Sequence, residues 1–91
     1  MIDDHSIIRR RPDLITADVD GESIVLNSVT GTFYQLNASA ARIWQLVESP
    51  QTLAAMVAHL TERFDVTAEQ CRVDVLELIE SLQGRGLVET A

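Results

Sequence analysis

The dipeptide Asp20-Gly21 lies between two runs of β-forming residues, Leu14–Val19 and Glu22–Asn27. Gly tolerates positive φ, so this spacing predicts two antiparallel strands joined by a two-residue hairpin loop. A short loop, Ser28-Val29-Thr30-Gly31, leads into a third run, Thr32–Leu36. Gly31 fits the left-handed position of a three- to five-residue hairpin loop. Three hairpin-linked strands make a meander, and its third strand is an edge unless something covers it.

From Asn37 onward the hydrophobic period changes from two to that of a helix. Asn37 is an N-cap for a first helix through Val47, which ends before Pro50 because the residue preceding proline disfavours helical geometry. Thr52 caps a second helix, whose residues Leu53, Met56, Val57, Leu60 and Phe64 form one apolar stripe. Thr67 caps a third, and Gln70 three residues on resembles a capping box. Gly84 and Gly86 end that helix, and Leu87-Val88-Glu89 reads as a short final strand. Neither three short strands nor amphipathic helices can bury their apolar faces alone. The two halves must pack into one α+β domain, expected over residues 13–91. Residues 1–12 are expected to be a flexible, solvated arm.

Charge removes several functions. Seven Arg and no Lys stand against fourteen Asp and Glu, for a net charge of −7. The only basic cluster is Arg9-Arg10-Arg11, in the expected arm. A helix, a turn, a helix and a terminal strand suggest a winged helix-turn-helix, but the third helix carries Glu69, Asp74, Glu77 and Glu80 against Arg72 alone. Against phosphates it would be repelled, and it lacks the array that reads base edges. Nucleic acid and anionic membrane are therefore not expected as partners. No apolar run is long enough to span a bilayer, and the N-terminus has no secretory h-region. With a single cysteine, the cytoplasm is the default compartment.

Catalytic chemistry is equally sparse. His5 and His59 are the only histidines, so no zinc set exists and no metal or other cofactor is expected. Cys71 has Glu69, Gln70, Arg72 and Asp74 as neighbours, not the electropositive surround of a nucleophile, and reads as a buried, inert thiol. The four glycines are scattered and form no phosphate loop. The chain is not expected to be an enzyme.

The third helix has more apolar surface than one core face needs. Ala68, Cys71, Val75, Leu78, Ile79 and Leu82 fall within an arc of about 100°. Val73 and Leu76 lie outside it, and Asp74 and Ser81 border it. The third strand bears Phe33, Tyr34 and Leu36 with no charge to protect its edge. An extended peptide added there as a fourth strand would gain backbone hydrogen bonds, with the helix as the floor of its side-chain pockets. The same edge would also serve a structural or regulatory homodimer.

At these residues the sequence resembles the PqqD-like family. The features shared are Asp20-Gly21-Glu22, Ile24-Val25-Leu26-Asn27, Gly31, Tyr34-Gln35-Leu36-Asn37, Ala40-Ala41 with Ile43-Trp44, Phe64-Asp65, Asp74-Val75 with Leu78 and Leu82, and Gly86-Leu87-Val88. The resemblance covers residues 13–89 and implies a recognition element for ribosomally made, post-translationally modified peptides (RiPPs). Such elements have a winged helix-turn-helix fold and bind the leader region of a precursor peptide along the third strand and third helix. By position, the resemblance implies a peptide site of Thr32, Phe33, Tyr34, Gln35, Leu36, Cys71, Asp74, Val75 and Leu78. Phe33 and Val25 are then expected as an outer apolar patch for a partner protein, and Trp44 as core. Founding members act in pyrroloquinoline quinone biosynthesis and typically carry a Pro-Glu-containing turn where this chain has Ser28–Gly31. Gly-x-Phe-Tyr-x-Leu-Asn and Ile-Trp are more similar to the stand-alone elements of lasso-peptide clusters. Those work beside a leader peptidase and a cyclase, which would be this chain's partners.

Overall fold

A computed structural model describes residues 2–90. Met1 and Ala91, the outer ends of the two segments drawn from the sequence, lie outside the described residues. The strands are β1 (Ile7–Arg10), β2 (Leu14–Val19), β3 (Glu22–Asn27), β4 (Phe33–Leu36), β5 (Gln51–Thr52) and β6 (Val88–Thr90). The helices are α1 (Ala38–Leu46), α2 (Leu53–Arg63) and α3 (Ala68–Gly84). The α+β winged helix-turn-helix is thus present: a three-stranded meander, three helices and a terminal strand.

The meander has the order β2-β3-β4, all antiparallel. Asp20 and Gly21 both take positive φ, 52° and 81°, and bring Val19 opposite Glu22. These are the signs of the loop that continues the right-handed twist of its strands. The second loop closes where Asn27 N–H donates to the Thr32 carbonyl at 2.8 Å, with Gly31 at φ 76°. Thr32 therefore belongs to the turn, one residue ahead of β4.

All three expected caps form. The side chains of Asn37, Thr52 and Thr67 accept from the N–H groups of Ala40, Ala55 and Gln70 at 2.9, 3.1 and 3.2 Å. Each satisfies a donor that has no partner within its helix. The capping box at Thr67 is only half made. Gln70 turns away from the cap and donates through Nε2 to Asp74 Oδ1 at 2.9 Å. Past α3, Gly86 takes φ 75°, and Leu87 N–H returns to the Leu82 carbonyl at 2.9 Å.

The expectation of a flexible arm over residues 1–12 is corrected by the structure. β1 is the central strand of a second sheet, ordered β5-β1-β6, and pairs antiparallel with both neighbours. Ile8 is fully buried and Ile2 nearly so. The arginine cluster is an internal fastening rather than a free basic arm. Arg9 and Arg11 both reach Glu89 of β6, at 3.1 and 3.8 Å. Arg10 lies over the Trp44 ring, 4.1 Å from its centroid, and donates through Nη2 to the Trp44 carbonyl at 2.6 Å. Burial pulls the Arg10 pKa below its usual value, opposed by Glu48 and Asp18. The physical reason is long-range: Ile7–Arg10 has no local hairpin partner, and its pairing strands lie about forty and eighty residues along the chain.

Trp44 is wholly buried, and its indole N–H donates to Thr16 Oγ1 at 2.9 Å. It ties α1 to the inner face of the meander. Around it the core gathers Ile8, Val25, Leu36, Ile43, Val47, Leu53, Met56, Ile79, Leu82 and Leu87.

Candidate functional site: a free sheet edge and an apolar cavity

Among the described residues, strand β4 pairs on one side only, with β3. Asn27 N–H donates a ladder bond to the Thr32 carbonyl, and antiparallel ladders alternate bonded and non-bonded pairs. Backbone groups of Tyr34 and Leu36 accordingly aim at β3, and those of Phe33 and Gln35 aim outward. The free edge of β4 thus offers two N–H groups and two carbonyls in line.

Side chains alternate across the sheet. Leu36 is buried in the core, and Tyr34 is half-buried against it. The Arg85 guanidinium stands 5.7 Å from the Tyr34 ring centroid. Phe33 and Gln35 face outward, Phe33 being 67% exposed. Val25 stands opposite Tyr34 and is fully buried, so its expected place in an outer patch with Phe33 is corrected. Val25 has the parity of the inner face. Phe33 instead lies in register with Leu26 and Ile15, one from each strand. That row, with the exposed Ile24 and Val19, makes the outer face of the meander apolar as well.

The four helix residues singled out from the sequence come together. Cys71, Asp74, Val75 and Leu78 share one open cavity of about 230 Å³. Its other walls are Ser39, Arg42 and Ile43 from α1, Leu60 from α2, and Phe64 and Val66 just beyond it. The turn residue Thr32 and the four residues of β4 do not line it. Leu36 passes through Asn37 directly into α1, which forms one wall. The residues missed by sequence reasoning are those of α1 and α2. Phe64 ends the apolar stripe of the second helix, yet it is 40% exposed, with the Arg42 guanidinium 4.4 Å from its ring centroid. An i+11 position beyond the end of the core stripe was the available signal.

The surplus apolar surface of α3 is divided between two neighbours. Leu76 lies beside Ile2 of the N-terminal segment. Cys71, Val75 and Leu78 turn toward the cavity on the other rim. Val73 remains exposed. Burial, helped by the nearby Asp74 charge, pushes the Cys71 thiol above its usual pKa. The thiol therefore stays protonated and unreactive at neutral pH, as befits an apolar wall. Among the described residues no cluster of His, Cys, Asp and Glu could hold a metal, and no helix is long and apolar enough to cross a membrane.

A free sheet edge is a feature to which small domains can add an extended peptide as a strand. The chain belongs to the PqqD family, described as coenzyme PQQ synthesis protein D, with residues 22–88 matched, and so to the non-catalytic recognition elements of RiPP biosynthesis. Two solved structures share its fold. One, TbiB1 in complex with the TbiA(beta) leader peptide, is 25% identical with a TM-score of 0.81, covering 89% of this chain and 94% of its own. The other, a lasso peptide synthetase B1 complexed with the leader peptide, is 28% identical with a TM-score of 0.78, covering 90% and 96%. No curated protein matches the sequence.

Proposed function

We propose that this protein binds the leader region of a precursor peptide as a fourth strand on β4, and presents it to a leader peptidase or other modifying enzyme of a lasso-peptide-like pathway. The observation that carries the reading is an uncharged strand edge that, among the described residues, has no partner, in a strand joined through Asn37 to the helix that walls a cavity lined by Cys71, Val75 and Leu78. Both similar structures are complexes with leader peptides, which supports it. Backbone bonds at Phe33 and Gln35 supply affinity without regard to sequence. The cavity supplies selectivity for one apolar side chain.

Isothermal titration with the leader of the precursor encoded beside this chain is expected to show saturable binding in the micromolar to nanomolar range, about −8 to −12 kcal/mol. The absence of heat with every short open reading frame in the neighbourhood would reject the proposal. Leu78→Arg, which places a charge in the cavity, is expected to weaken binding at least about thirtyfold with unchanged circular dichroism. A leader from a quinone-cofactor precursor that bound as tightly as a lasso leader would shift the assignment to that branch of the family.

Presentation falls to the outer face of the meander. Ile15, Leu26 and Phe33 form an apolar row, with Ile15 and Phe33 exposed and Leu26 half-buried between them. Such a surface suits a protein partner better than water. Ile15→Asp, on the same face but two strands away from the peptide edge, is expected to leave leader affinity within about threefold and to abolish leader cleavage by the partner peptidase. Normal cleavage by this variant would remove the outer face from the proposal.

A further inference from the structure

The chain is acidic, yet its arginines are not distributed as charge balance alone would place them. Arg9 and Arg11 are paired with Glu89, and Arg72 with Asp4 at 2.6 Å. Arg10 donates to the Trp44 carbonyl, and Arg63 to His59 Nε2 at 2.9 Å. Arg42 and Arg85 alone make neither an ion pair nor a side-chain hydrogen bond among the described residues. Both are exposed, and both are held on aromatic faces: Arg42 over Phe64 and Arg85 over Tyr34. Stacking fixes a guanidinium plane while leaving its edge, with the N–H donors, available to a carboxylate.

Their positions are informative. Arg42 lines the cavity. Arg85 follows the last turn of α3 and stands at the β4 end, over Tyr34. One cation thus stands at the cavity and the other beside a β4 side chain, in a chain with twice as many acids as bases. The one carboxylate that shares the cavity, Asp74, is engaged by the Gln70 amide at 2.9 Å and lies beyond ion-pair distance of Arg42. Along α3, the cavity residues 71–78 are centred about ten residues from Arg85. That is about 15 Å at the helical rise, and an extended chain covers it in about four or five residues.

We infer that the site selects a peptide with two acidic side chains about four or five residues apart, one read by Arg42 at the cavity and one by Arg85 at the Tyr34 end, with apolar residues between them. This rests on the peptide-binding reading and adds the chemistry of the ligand to it. An acidic flank also explains how a protein of net charge −7 would distinguish its own leader from other apolar peptides, since charges elsewhere on the surface oppose any acid that lacks an arginine to meet it.

The test presents the full-length protein to a displayed library of random ten-residue peptides. Enriched sequences are expected to carry Asp or Glu at two positions about four or five residues apart. Arg42→Gln should erase the acidic preference at one position and Arg85→Gln at the other, both leaving the apolar preference in place. Each substitution should weaken the enriched peptide about fivefold, between an exposed ion pair and a charge-assisted bond. The lysine variants should retain the preference, and the doubly amidated peptide should bind all forms alike. Enrichment of apolar peptides with no acidic bias would overturn the inference and leave peptide binding standing. No enrichment of any sequence would overturn both.

Discussion

Removing residues 1–10 is expected to leave the chain unfolded at room temperature, and Ile8→Ala alone to cost about 3 kcal/mol. Ile8 has no exposed surface and lies in the middle strand of the β5-β1-β6 sheet. Losing β1 also strips the ladder partner from both neighbours. It uncovers the Leu76 side of α3 and takes away the Arg10 guanidinium that holds the Trp44 carbonyl near the end of α1. A domain of this size has a stability on the order of 5 kcal/mol, so these losses exceed it. Urea denaturation followed by circular dichroism measures both variants. A truncated protein that unfolds at the same urea concentration as the full chain would show that β1 is dispensable.

Gln35→Pro is expected to reduce leader affinity by about ten- to a hundredfold while the protein stays folded. The outward N–H of Gln35 is one of two that β4 offers at its free edge, and proline removes it and crowds the approach of a fourth strand. Losing one such bond from a buried interface costs about 1–3 kcal/mol. The position matters. Proline at Tyr34 would delete a bond to β3 and disturb the meander, whereas an edge strand accepts proline where its N–H faces solvent. Fluorescence anisotropy with a labelled leader, beside a thermal melt, separates the two effects. Wild-type affinity in a folded Gln35→Pro protein would exclude strand addition and leave the cavity as the only contact.

How the arginines divide shows where reading residues in order fails. Arg9-Arg10-Arg11 is a basic cluster in sequence, and alone it suggests a solvated tail. In the fold each guanidinium meets a partner distant along the chain: Glu89 for the outer two, the Trp44 carbonyl for the middle one. Arg42 and Arg85 look ordinary in sequence, yet the fold lays each over an aromatic ring, Phe64 and Tyr34. The four α3 residues were legible because the family resemblance marks them and helical period places 71, 74, 75 and 78 on one side. The α1 and α2 walls were not, because the packing angle of one helix on another has no local signature.

Local chemistry determined much of this protein. Asp20-Gly21 and Gly31 set the loops, Asn37, Thr52 and Thr67 set the helix starts, and period two or 3.6 set the type of each element. These are short-range choices, made by φ preferences and by polar groups a few residues apart, so they are written in consecutive residues. Tertiary structure alone decided that residues 7–10 form a central strand. It also placed Val25 inward with Tyr34 while Phe33 joined Ile15 and Leu26, and closed α1, α2 and α3 around a shared cavity. Each of these depends on ladder register or helix packing between segments far apart in the chain. Their energy comes from surfaces that exist only once both partners have been brought together.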